Sequence, residues 1–417
     1  MTISYEDLRA AIAGRSVGIR SRTELEPLGG DGDKLFPPTY GVADSAETKY
    51  ATEQRRVEGN VVDAVVLDSV SSQANRQELA LLGAKERSEL AVPVIKLDFS
   101  GTDAVDLDVI TSLEAPHRVF DALFRDSLLD GVLFRLSESG RALTEATSKN
   151  AAAVYRLAPT ALLFGAWDST GPKGGRGAKY ERAITSEIVA TGITIGVKTS
   201  SRLDPLGVEL SAGPVFKAAD TDAGWTLDAN EAVQEKGIPQ PYGKGGDRGR
   251  PSQINHGNVT PSIDAKAGGV TADQVTATSV LSFAQLRRLR FPLDADGAAL
   301  EGDRRTEAEV AARTALAALG LAAIVLAADD GFDLRSRCVL VASSDHRFEL
   351  IGRNTSEISE FSLTSEEAVA LVAQAASAAA DAGMPWPEAD LTLTPTPRLV
   401  ELVRRSHAAA AGDDEVA

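Results

Sequence analysis

The sequence predicts an α+β fold with large insertions. Three observations carry this. Short period-two strands alternate with amphipathic helices, αβ units stand at both ends, and regular pattern is lost in the middle, from Pro205 to about Val270. The chain of 417 residues has room for one large domain or two ordinary ones. Its 43% hydrophobic and 25% charged content is that of a soluble globular protein.

The elements follow in order. Met1–Ala13 reads as a short helix capped by Ser4, with Leu8 and Ile12 one turn apart. Ser16–Arg22 reads as a strand with Val17 and Ile19 on one side, Gly29–Tyr40 as a loop, and Val61–Leu67 (VVDAVVL) as a buried strand. In the following DSVSSQANRQELALLGAKE, Ser71 or Ser72 is the expected cap of a helix that turns Leu79 and Leu82 to the core. Ala91–Phe99 is an expected strand, edge-like because of Pro93. Ala115–Leu128 reads as a helix with Phe120, Leu123, Phe124 and Leu128 on one face, and His117 as a cap or surface residue. Leu129–Leu136 resembles a strand, Ser148–Arg156 a short helix, and Pro159–Trp167 a strand. Ile184–Lys198 reads as one long strand. Thr271–Phe291 is expected to carry a helix, and Thr306–Leu319 a second, Ala-rich one stopped by Gly320. Leu321–Ala328 then pairs as a strand with Arg337–Ala342, and Thr364–Ala382 and Pro397–Ala410 close the chain as helices.

Several function classes are excluded or weakened. The one cysteine, Cys338, allows no disulfide within the chain. The acidic start carries no apolar core of signal-peptide length, and the longest apolar run, Ala315–Ala328, is too short for a bilayer, so a cytoplasmic protein is expected, with no membrane partner. Four scattered histidines (His117, His256, His346, His407) show no metal-ligand spacing, and HEXXH, GXSXG and CXXC are absent. His256 as a general base and Asp168 as a metal ligand are the remaining catalytic candidates, both equally explained as loop residues. No cofactor is expected.

The most informative stretch is Leu162–Arg182, LLFGAWDSTGPKGGRGAKYER. Its Gly-rich loop lets backbone N–H groups converge on an anion, and Lys173, Arg176, Lys179 and Arg182 add charge against one acid, Glu181. Counted from Gly171, the places a Walker A loop needs as Gly-Lys hold Arg176 and Gly177, so a polymer phosphate backbone suits the loop better than a nucleoside triphosphate. Further bases gather at Lys244–Arg250 and at Arg287, Arg288 and Arg290, within a chain of net charge −17 that argues against indiscriminate nucleic-acid binding. At the start of the helix after Val61–Leu67, Ser71, Gln73, Asn75 and Arg76 form a polar set suited to phosphate and sugar.

Three stretches carry a family resemblance: SVSSQANRQE (Ser69–Glu78), LLFGAWDSTGPKGGRGAKYERAITSEIVATGI (Leu162–Ile193), and PSQINHGNVTPSI with GGVTADQVTATSVLSFAQLRRLRF (Pro251–Phe291). Together they resemble the backbone RAMP subunit of type I-U (I-G) CRISPR effector complexes, over roughly Val61–Phe291. The first motif departs at Ser71, where the family often has Gln. The resemblance implies an RRM-like (ferredoxin-like) core over 1–204 and 271–350, a thumb-like insertion over 205–270 and a C-terminal helical extension over 351–417. It implies a non-catalytic scaffold of an antiviral Cascade ribonucleoprotein, polymerised in several copies along CRISPR RNA. The implied partners are that RNA, the target DNA strand paired to it, and the other Cascade subunits. The RNA-binding residues expected are Ser71, Gln73, Asn75, Arg76, Lys173, Arg176, Lys179 and Arg182, and in second rank Lys198, Arg250, Asn255 and His256. The competing expectation is a RAMP endoribonuclease, which needs a general base or a metal-binding Asp aimed at a phosphate.

Overall fold

The computed structural model describes residues 2–43, 45–102, 107–171 and 177–414, with side chains followed to residue 409. Two compact units emerge. The first comprises Met1–Gly41, Tyr50–Thr194 and Val270–Val400, and the second Val42–Lys49, Ile195–Gly269 and Glu401–Ala417.

The first unit is α+β. Six elements frame it: β1 (Gly18–Pro27), α1 (Val70–Glu86), β2 (Ile184–Thr191), β3 (Gln274–Ser282), α2 (Gly302–Asp329) and β4 (Phe348–Ile351). They lie in the sheet as β4-β1-β3-β2, each antiparallel to its neighbour, with α1 and α2 packed together against it. This βαββαβ path is the ferredoxin-like arrangement. Beyond β2 the sheet continues into the hairpin Thr52–Val57/Asn60–Asp68, turned at Glu58 and Gly59, both at positive φ as a tight hairpin turn requires. The far half of β1 pairs with Cys338–Ala342, and β4 with Ile358–Phe361.

The alternation of β1 explains its place. Ile19, Ser21, Thr23 and Leu25 are buried, while Arg22, Glu24 and Glu26 are exposed and Arg20 pairs with Glu349 at 2.5 Å. The helix-facing side of the sheet carries a polar strip. Gln77 Nε2 donates to Ser186 Oγ (2.7 Å), which bonds Ser279 Oγ (2.7 Å); Ser21 and Thr23 hydroxyls lie 2.9 Å from the two ring nitrogens of His346. Burial lowers the His346 pKa, outweighing the opposing charge of Asp329.

From Ala308 to Leu326 nearly every residue of helix α2 is buried, so this stretch occupies the centre of the unit. By length and composition it is able to cross a membrane, but 94% of its most apolar stretch is buried inside the protein. Here the structure corrects the expected stop at Gly320 and the strand after it. Gly320 lies mid-helix, where a Cβ would meet Leu281 and Leu163 side chains at 3.2 and 3.5 Å, so this glycine serves close packing on the sheet. The helix ends at Asp329, the hairpin begins at Phe332, and Gly331 (φ 87°) turns the chain between them.

Other differences share one cause, that short apolar runs fit either period. The expected helix Thr271–Phe291 is mainly β3, with a single helical turn, Phe283–Leu286, after the capping hydroxyl of Ser282. The expected strand Pro159–Trp167 is the helix Thr160–Phe164 and the short strand Ala166–Trp167. Ala115–Leu128 breaks into the turns Arg118–Phe120 and Ala122–Arg125, the second capped by Asp121, before the hairpin Ser127–Leu129/Val132–Leu133. Ile95–Asp98 is not an edge strand: Pro93 precedes it, and Leu391–Pro395 and Val109–Thr111 flank it. Strand β2 stops at Thr191. Helix α1 is capped by Ser69 rather than Ser71 or Ser72, and Leu81 and Leu82 are buried while Leu79 is 51% exposed. Val17 is likewise exposed and precedes its strand. The stretch from 351 onward includes the strands Ile358–Phe361 and Leu391–Pro395 beside its helices. The helices Tyr5–Ala13 and Ser365–Asp381 stand where expected, each with a capping box, on Ser4 and Thr364, and Pro397–Asp414 closes the chain.

In the second unit, Lys198–Arg202 and Val259–Asp264 form an antiparallel ribbon, followed inward by the small hairpins Phe216–Lys217/Trp225–Thr226 and Gln234–Glu235/Ile238–Pro239.

Candidate nucleic-acid interface

Helix α1 starts directly after a strand that ends in Asp68, a wholly buried carboxylate. Asp68 accepts from Gln73 Nε2 (2.8 Å), Arg76 Nε (3.1 Å) and Arg335 Nη2 (3.2 Å), and Arg76 also donates to the Asp333 and Leu334 carbonyls at 3.1 and 2.6 Å. Gln73 is therefore buried and Arg76 partly so, both committed to fixing the helix start. Ser71 and Asn75, one turn apart, form the exposed side of the same helix.

Against that side lies Arg182. Its guanidinium donates to the Val70 carbonyl (3.3 Å) and approaches Ser71 Oγ (3.5 Å). The first-turn N–H groups of α1 have no partner within the helix, and the dipole adds positive potential there. Behind Arg182, Glu78 is buried and gripped by Arg118 at 2.7 and 2.6 Å; Arg118 also donates to the Gly165 carbonyl (3.1 Å) and stacks over Phe164. Burial pushes the Glu78 carboxyl up to about 7, against the opposing pull of Arg118 and Arg182. Gly165 sits at φ 81°, and a side chain there would crowd the Tyr180 carbonyl and Arg182.

The Gly-rich loop leaves this scaffold through a narrow neck, with Ala166–Trp167 paired to Lys179–Tyr180 and the Asp168 N–H donating to the Ala178 carbonyl at 2.9 Å. Lys179 is exposed, with Nζ 5.6 Å from the ring centre of Trp167, which is itself 47% exposed. Charge and spacing do not single out Trp167 in the sequence, although an exposed aromatic beside a basic loop is a base-stacking surface. Lys173 and Arg176 lie outside the described residues. The metal expectation for Asp168 is not supported: it is buried and its carboxylate is taken by Arg135 at 2.8 and 3.3 Å.

The second-rank residues all fall in the second unit. Lys198 is exposed on the ribbon, Arg250 is exposed and pairs with Asp247 (2.7 Å), and Asn255 is exposed in a left-handed turn (φ 59°). His256 is half-exposed, its Nδ1 3.9 Å from Asp204, whose carboxylate binds the Gly257 and Leu206 N–H groups. Within the first unit the fold thus brings Ser71, Asn75 and Arg182 together, with Gln73 and Arg76 beneath them.

Residues 19–195, under half of the chain, match the family model described as CRISPR-associated protein GSU0053. Over those residues the chain is similar to a CRISPR-associated family, which supports a role in CRISPR defence. No curated protein matches the chain.

Proposed function

We propose that this protein is a non-catalytic, guide-RNA-binding backbone subunit of a cytoplasmic type I-U (I-G) Cascade, several copies of which line one CRISPR RNA while it pairs with a target DNA strand. The observation that carries the reading is Arg182 set against the first turn of α1 beside the exposed Ser71 and Asn75. Guide sequences vary, so such a subunit has to grip phosphate and sugar rather than base edges. A guanidinium, a hydroxyl, an amide and the first-turn N–H groups that the Ser69 cap does not take do this without reading sequence. Lys179 and Trp167 at the loop neck add a cation and a stacking face.

The test is co-purification. The chain is expressed alone, with a CRISPR RNA, and with its partner subunits, and particle size and bound RNA are compared. A large RNA-dependent assembly is expected. Arg182→Ala and Lys179→Ala should each weaken RNA binding about 10-fold at low salt and reduce the salt slope by about 0.7. A monomer free of RNA in every setting, or RNA cleaved by the purified chain with magnesium, would overturn the reading.

A further inference from the structure

A cavity of about 450 Å³ opens in the first unit, lined by none of the residues assigned to RNA. Four carboxylates line it: Glu138 and Glu145 from the helix Glu138–Glu145, and Asp294 and Asp296 from the loop after β3. None of the four forms an ion pair among the described residues, although Asp294 Oδ1 accepts from the Asp296 and Ala298 N–H groups at 3.1 and 2.8 Å. The one guanidinium in the wall, Arg156, donates instead to the Ala295 carbonyl at 2.9 Å. Deeper in the wall stand Asn150 and Tyr155. Tyr155 is 1% exposed, packed edge-on against Phe291 and tilted against Trp386 at ring separations of 5.5 and 5.8 Å. Its hydroxyl and the Asn150 Oδ1 are both buried with no hydrogen-bond partner among the described residues.

Buried polar atoms are nearly always satisfied, and each orphan costs stability. Asn150 Oδ1 only accepts hydrogen bonds, and a tyrosine oxygen accepts as well as donates. It is the carboxylate rim over these unmet polar atoms that favours one chemistry: a cation rich in N–H donors on an apolar stem. We propose that this cavity binds an alkyl-ammonium or alkyl-guanidinium group, carried by a free polyamine or by a lysine or arginine side chain of a protein partner. The carboxylates hold the charge at the mouth, and the head group meets Asn150 and Tyr155, whose polar atoms the wall closes off in this structure, when the wall parts to admit it.

Calorimetric titration of the full chain at low salt tests this with three probes: spermidine, acetyl-Gly-Arg-Gly amide and the neutral acetyl-Gly-Gln-Gly amide. Saturable one-to-one binding is expected for spermidine or the arginine peptide, and none for the neutral one. The preferred cation identifies the source. Tyr155→Phe removes one oxygen and no charge, and Asp296→Asn alters an exposed loop; each should weaken binding at least 5-fold. Diffuse attraction to an acidic chain would survive Tyr155→Phe unchanged, and that result overturns the proposal, as does the absence of saturable binding by either cation. Thermal unfolding of Tyr155→Phe checks its fold. If that variant is unstable, Asp296→Asn decides in its place, and unchanged binding there overturns the proposal.

Discussion

Asp68 shows how one buried charge organises its surroundings. A wholly buried carboxylate is tolerated only when donors surround it, and here Gln73, Arg76 and Arg335 provide them from two distant parts of the chain. Truncating one donor leaves the carboxylate under-satisfied, so Arg76→Ala should cost about 2–3 kcal/mol in denaturant unfolding. In Asp68→Asn the same Arg76→Ala change should cost less than half as much, because the charge it answers is gone. Equal costs in both backgrounds would show that Arg76 works through its bonds to the Asp333 and Leu334 carbonyls alone. The sequence marks Gln73 and Arg76 as polar residues at a helix start, a pattern shared by anion sites and by internal anchors. Only the position of Asp68, three places before the helix's second residue, separates the two, and its burial depends on strands far along the chain.

At the scale of elements, capping was legible at Ser4, misplaced by two or three residues at Ser69, and period was the weakest signal. Ser4 and Thr364 have acidic partners three residues on, and both helices form there. By contrast, Thr160–Phe164 and the segment after Gly320 are uninterrupted apolar runs, buried on every side, where strand and helix leave the same trace. The hairpin strand Thr52–Val57 leaves no trace because TEQRRV is polar and lies at the sheet margin. The basic loop neck was legible in its glycines and cations, while Arg118, buried under it, carries no local signature. The polar strip between the sheet and its helices has a pH consequence. His346 sits between Ser21 and Thr23 hydroxyls with a pKa below its ordinary 6.5. As pH falls below about 6.5 the unfolded chain takes up that proton first, so stability drops through this group. Wild type should lose more stability than His346→Gln between pH 7.5 and 5.5 in chemical denaturation. A parallel loss in both would assign the pH effect to other groups.

For the whole molecule, the chain leaves the first unit after Thr194 and re-enters at Val270, between two strands that are direct antiparallel neighbours. Such strands accept a two-residue turn. Replacing residues 195–269 by Asn-Gly should therefore leave a cooperatively unfolding first unit with its near-native far-ultraviolet dichroism. Under the backbone-subunit reading, the shortened protein should keep the Arg182-dependent contact to RNA and lose assembly into larger particles. Loss of cooperative unfolding would mean that the excursion is needed to complete the core.

The pairing of β1 has a further consequence, for how the protein is made. Among the described residues, every strand that pairs with Gly18–Pro27 lies at Gln274 or beyond. A ribosome working at about 5–20 residues per second takes tens of seconds to reach the first of them. Throughout that interval the nascent strand waits with its backbone groups unpaired, the condition in which chains stick to one another. Its alternating Arg20, Arg22, Glu24 and Glu26 then act as gatekeepers of biosynthesis, keeping one face of the waiting strand charged until its neighbours arrive.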